Sequence, residues 1–188
     1  MRIKSRRRAR LSLAIVAFAT SALLGGVALA APAAASPIRF VGIVPWWTAD
    51  LRLDVSGAST QPGAPVIDWF VNNGTNQRWV FQIPATPPGG VPIECINGTC
   101  AYEIINQNSG QCLTTDGVAG DQLYQWPCNG SGQQLWSTNL GNLSNATDTI
   151  QNTSSGQCVD VYGWDPFPGA RIDAWPCNGG ANQDFGFD

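Results

Sequence analysis

The chain has no histidine, and its only lysine is Lys4. Nucleophilic catalysis with an imidazole base is thereby excluded, and so is the imidazole ligand that most zinc sites use. Basic charge nearly vanishes after the first ten residues. Only Arg39, Arg52, Arg78 and Arg171 follow, against all thirteen acids, which leaves that part of the chain near −9. That sign is wrong for neutralising phosphates, so nucleic acid and anionic membrane surfaces are excluded as partners. Charge of either sign is scarce, at 12% of residues. Asn, Gln, Gly, Ser and Thr carry the polarity instead, which gives a surface rich in neutral donors and acceptors. Long apolar runs are missing too, with one exception at the start.

MRIKSRRRAR holds six of the ten basic residues, and an uncharged apolar run from Leu11 to Ala31 follows it. Ser, Thr and Gly interrupt that run, and the small residues Ala28 to Ala30 close it. This is the pattern of a cleaved secretory signal rather than a retained membrane span. Residues 1–30 are read as a signal peptide, 31–37 as a linker and 38–188 as one domain. The mature protein is expected to be secreted, monomeric and not inserted in a membrane.

A twelve-residue phrase recurs in the domain: DWFVNNGTNQRW from Asp68, QWPCNGSGQQLW from Gln125 and AWPCNGGANQDF from Ala174. Eight residues after Trp69, Trp126 and Trp175 come Gln77, Gln134 and Gln183, and two further on an aromatic, Trp79, Trp136 or Phe185. Upstream, YEIINQNSGQCLTT matches DTIQNTSSGQCVDV. The repeats run roughly over 38–84, 101–141 and 148–188, with an extra hairpin at 85–100. Within each copy the segments are short, alternate apolar with polar, and are separated by Gly, Asn, Pro and Ser. No helical period is sustained, so the domain is all-β with about four strands per copy. No copy could bury its own apolar face alone; three together close a common core. Trp79, Trp136 and Phe185 are expected there with Leu53, Leu113, Val159, Val66, Leu123 and Ile172, whereas Trp46 and Trp47 have no counterpart in later copies.

Six cysteines in an exported chain imply three disulfides, for which fifteen pairings exist. The repeat pairs Cys112 with Cys128 and Cys158 with Cys177, each within its copy. Cys95 and Cys100 flank Asn97-Gly98, a two-residue hairpin turn that sets them opposite each other. No metal site and no cofactor is expected.

The order G-x-C-[LV], W-x-C-N-G, Q-x-[WF], twice complete and once without its cysteines, resembles the ricin B-type lectin family. The resemblance implies a β-trefoil, a six-stranded barrel capped by three hairpins. It also implies sugar sites built from the Asp after the first cysteine position, the aromatic before the second, and the Asn ahead of Gln-x-Trp. The chemistry suits a neutral sugar: a flat indole covers its C–H face, and a carboxylate accepts from two hydroxyls. The third copy has Asp160, Trp175, Asn182 and Gln183, with Asp173 on the same strand face as Trp175. The first has Asp54, Trp69, Asn76 and Gln77, with Ile67 where Asp173 stands and Arg52 and Val71 at the cysteine positions. The second has Thr114 for Asp and is expected to be silent or very weak. Each Gln also suits a structural brace.

The expected function is non-catalytic binding of a neutral mono- or polysaccharide of galactose- or xylose-type units. Glycoside hydrolysis needs two facing carboxylates. Asp160 with Asp173 is the one pair to consider, and its repeat-mates are Asp54 with Ile67 and Thr114 with Tyr124. A protein-binding scaffold, inhibitor or adhesin, using the extra hairpin, is the rival expectation.

Overall fold

The computed structural model describes residues 41–48, 50–84, 100–138 and 148–188. The expected signal peptide, the linker, and Cys95 with most of the extra hairpin lie outside them. In the first repeat β1 (Ile43–Pro45), β2 (Leu51–Val55), β3 (Val66–Phe70) and β4 (Trp79–Gln82) follow in order. The second holds β5 (Cys100–Asn106), β6 (Cys112–Thr114), β7 (Tyr124–Trp126) and β8 (Trp136–Thr138). The third holds β9 (Asp148–Thr149), β10 (Gln151–Asn152), β11 (Gln157–Val161), β12 (Ile172–Pro176) and β13 (Asp184–Phe187). Among the described residues the expected twelve strands become thirteen, because Ile150, whose carbonyl accepts from the Val159 amide, interrupts one of them.

The outer strands of each repeat close a ring. β1 pairs with β13, β13 with β9, β10 with β8, β8 with β5, and β5 with β4. Reciprocal hydrogen bonds between Val41 and Trp79 complete it. The inner strands form three hairpins, β2–β3, β6–β7 and β11–β12. This is a β-trefoil: a six-stranded barrel with one hairpin per repeat. The hairpins meet around the pseudo-three-fold axis, where the Val66 amide donates to the Leu123 carbonyl and the Leu123 amide to that of Ile172.

The core is what the phrase specifies. Trp79, Trp136 and Phe185 are fully buried together, with Leu53, Leu113, Val159, Val66, Leu123 and Ile172 around them. A buried indole needs an acceptor for its N–H. Trp79 donates to the Leu53 carbonyl and Trp136 to that of Leu113, each at 3.0 Å. Phe185 has no such group, and its repeat needs no such bond.

Cys112 is bonded to Cys128 and Cys158 to Cys177, as the repeat predicts. Each bridge closes a short loop and contributes about 2–3 kcal/mol. Cys100 is also disulfide-bonded and starts β5. In the first repeat Arg52 replaces the cysteine opposite Trp69 and forms an ion pair with Asp188. Asp188 also accepts from the Gly42 amide, so a polar clasp stands where the later repeats carry sulfur.

Candidate functional site

Two hairpins each bring one acid and one indole to the same side. In β2–β3 the register sets Arg52 against Trp69 and Asp54 against Ile67. In β11–β12 it sets Cys158 against Trp175 and Asp160 against Asp173. Side chains two apart on a strand share a face. The fifteen-residue separation of acid and indole therefore becomes a diagonal cross-strand neighbourhood in both hairpins.

A cavity of about 350 Å³ lies against the first hairpin, lined by Asp54, Ser56, Ala58, Ile67, Trp69 and Asn76. One of about 280 Å³ lies against the third, lined by Asp160, Tyr162, Trp164, Asp173, Trp175 and Asn182. The acids are buried at the base, and the indoles stand open at 43% and 44% exposure. Asn76 and Gln77 both donate to Oδ2 of Asp54, at 2.8 and 2.9 Å. Asn182 and Gln183 both donate to Oδ2 of Asp160, each at 2.8 Å. Because both amides converge on one oxygen, Oδ1 of each carboxylate is left as an acceptor for something in the cavity. Burial raises the pKa of Asp54 and Asp160 above the usual carboxylate range, and the amide donors oppose that rise.

Gln77 and Gln183 do not line the cavities, in contrast to the expectation that grouped them with the binding residues. They are buried, and every polar position of their amides is used within the protein. The second donor bond goes to the Phe70 or Pro176 carbonyl, while the side-chain oxygen accepts from the Asn72 or Asn178 amide. Each Gln is a brace that ties the turn after the hairpin to the back of the carboxylate. Gln134 makes the same set, with the Thr114 hydroxyl in place of the acid.

Asp173 adds a second carboxyl to the third cavity alone. It is fully buried, Arg171 Nη2 lies 3.3 Å from its Oδ2, and its Oδ1 has no partner. Burial first, then the Asp160 charge, pushes its pKa up to about 6. The Asn182 carbonyl oxygen is buried and unpartnered as well. The third site thus presents more unused polar capacity than the first, where Ile67 stands opposite Asp54.

Residues 101–188 match the family model of the ricin-type β-trefoil lectin domain. Over that stretch the chain is similar to ricin-type β-trefoil lectins. The domain overlays solved trefoils of low identity. With the designed three-fold symmetric protein ThreeFoil it shares 24% identity at a TM-score of 0.64, covering 79% of this chain and 96% of that one. With the C-half of an earthworm R-type lectin, solved in complex with GalNAc, the values are 23%, 0.57, 81% and 98%. With an exo-β-1,3-galactanase from Clostridium thermocellum they are 22%, 0.65, 81% and 30%, so this chain spans under a third of that enzyme. Comparison with curated proteins finds no match.

The second hairpin departs from the other two at the acid. Thr114 stands there, its hydroxyl donating to the Cys112 carbonyl and accepting from Gln134. Asp116 is exposed in a turn and accepts from the Val118 amide. Trp126 is as open as its repeat-mates but faces no carboxylate across the hairpin, where Tyr124 is paired with Thr114. Glu103, Cys112 and Cys128 come close enough together to suggest a metal cluster, yet both sulfurs are committed to a disulfide.

Each indole of the trefoil rests on a glycine from a different repeat. A Cβ on Gly169 would lie 3.4 Å from the Trp69 ring, one on Gly63 3.9 Å from Trp126, and one on Gly120 3.1 Å from Trp175. The same glycines donate their amides to the carbonyls of Asp68, Gln125 and Ala174, the residues just before each indole. All three have φ between 81° and 97°, where a side chain is strained. The sequence signal was available: each glycine precedes its own repeat's Trp by six residues. Gly120→Ala is therefore expected to weaken any ligand bound at Trp175 by roughly tenfold while sparing Trp69. The added methyl tilts the ring and strains the turn, at about 1–2 kcal/mol of stability. Titrating ligand into variants that retain one indole each, alongside thermal melts, measures both effects.

Proposed function

We propose that this is a secreted, non-catalytic lectin that binds neutral galactose- or xylose-type units through the first and third repeats. The observation that carries the reading is the unsatisfied carboxylate oxygen at the base of each cavity, beside a half-open indole. A sugar hydroxyl supplies the missing donor, and the C–H face of the ring covers the indole. Lectins of the same fold have been solved with GalNAc and with lactose, which lends support to this ligand class. Non-catalytic action is favoured because Asp160 is locked by two amides, and its partner acid has no equivalent in the other repeats.

Each site is shallow and competes with well-solvated hydroxyls, so a dissociation constant on the order of 0.1–1 mM per unit is expected. Two such sites on one rigid body can engage one polymer, and avidity then rises by roughly a hundredfold. A glycan array with the purified protein tests this. Signal competed away by free galactose or xylose is expected, with loss of most avidity in Trp69→Ala or Trp175→Ala and of all binding in the double variant. An array without competable signal would end the reading.

A further inference from the structure

The two cavities differ in the turn that follows the acid strand. After β2 comes Ser56-Gly57-Ala58; after β11 comes Tyr162-Gly163-Trp164, and both turns have the same backbone shape. The middle glycine has φ 65° in one and 67° in the other, and the third residue is also left-handed, at 51° for Ala58 and 59° for Trp164. A Cβ held there costs about 1–2 kcal/mol in alanine and tryptophan alike, and such strain persists only where the surrounding structure holds it. Trp164 is also 54% exposed, so burial does not compensate the strain.

What holds Trp164 is a residue from another repeat. Trp47 stacks on it at 5.7 Å with 23° between the rings, and Trp47 in turn packs against the hydrophobic core. Tyr162 is fixed differently: the Arg171 guanidinium sits 4.1 Å over its ring and also reaches Asp173. Tyr162, Trp164 and Trp175 all line one cavity, with Asp160 and Asp173 at its base. One indole and one acid suffice for a single sugar ring. The additional rigid aromatic faces give a chain of rings further flat surface to lie on. Asp165, next to Trp164, would repel an acidic glycan, so the occupant is neutral.

We propose that the third-repeat site binds at least two consecutive units of a neutral glycan chain, one on Trp175 and the next on Trp164 braced by Trp47. The first-repeat site, with Ser56 and Ala58, takes one unit. This rests on the sugar-binding reading above and adds length selectivity to it.

The test uses the Trp69→Ala protein, which isolates the third site, titrated with xylose and xylotriose and with galactose and a β-linked galactotriose. In at least one series the trisaccharide should bind about tenfold or more tightly than the monosaccharide. Adding Trp164→Ala should remove that gain, lowering trisaccharide affinity about tenfold more than monosaccharide affinity, and Trp164→Tyr should restore part of it. Trp164 is exposed, and unchanged melting of the variant checks that its fold is intact. Equal affinity for mono- and trisaccharide, or equal loss of both on Trp164→Ala, overturns the two-unit site and leaves the lectin reading standing. Absence of binding in every series, in the unaltered protein as well, overturns both.

Discussion

Asp160→Ala is expected to abolish sugar binding at the third repeat and to lower the melting temperature by about 5–10 °C. The two effects have separate causes. The cavity loses a charged acceptor able to take two hydroxyl hydrogen bonds, each worth about 1.5–3 kcal/mol, which is more than a hundredfold in affinity. The fold loses the common acceptor of the Asn182 and Gln183 amides, both buried. Leaving such donors unmade costs about 2–3 kcal/mol here, and a domain of this size loses roughly 2–4 °C per kcal/mol. Asp160→Asn separates the causes. Its carbonyl keeps the two internal bonds, while its amide turns a donor to the sugar, so stability should hold and binding should still be lost. Titration calorimetry on the Trp69→Ala background, with melts of each variant, reads both. A variant that binds normally with a lowered melting temperature would mean the acid serves the fold alone.

Acidification from pH 7.5 to pH 5 should raise the melting temperature by on the order of 5 °C, the reverse of ordinary acid denaturation. Asp68 is fully buried in β3, and its Oδ1 accepts from the Gly169 and Ala170 amides at 3.1 and 2.8 Å. Burial outweighs those bonds and pushes its pKa up to about 6, as it does for Asp173. Unfolded, both titrate near 3.9. Between these values the folded state holds more protons than the unfolded state. Stability therefore falls as pH rises from about 4 to about 6, and the full penalty for burying the charged forms is present above that. Asp54, Asp160, Glu103 and Asp184 are shifted upward too, again with burial as the first cause. Asp68→Asn keeps a carbonyl for the two amides and removes the charge, so it should raise the melting temperature at pH 7.5 and narrow the difference between the two pH values. A flat or inverted profile would show that these carboxyls are better solvated than their burial implies.

The features the sequence discloses are those that lie within one repeat. Acid and indole can be paired from their spacing because a hairpin turns a fixed separation into a fixed neighbourhood. Cys112 with Cys128 and Cys158 with Cys177 follow from the same periodicity, as does the shared burial of Trp79, Trp136 and Phe185. Most contacts between repeats, the glycines under the indoles apart, leave no such trace. Trp47 against Trp164, Arg52 against Asp188 and Asp68 under the turn at Gly169 depend on how three units close, and nothing in the local pattern specifies the partner. Gln77 and Gln183 were ambiguous for another reason. An amide that can hold a sugar can equally hold a backbone, and only the count of its satisfied positions decides between the two.

The ring of glycines beneath the three indoles makes ownership of a binding pocket collective. Gly120 belongs to the one repeat with Thr114 in place of the site acid, yet it forms the floor for Trp175 in the next. A copy that has lost its own acid is thus no spare part. Excising it would topple its neighbour's platform, and a single repeat expressed by itself would possess the acid and the indole with nothing to rest the ring on.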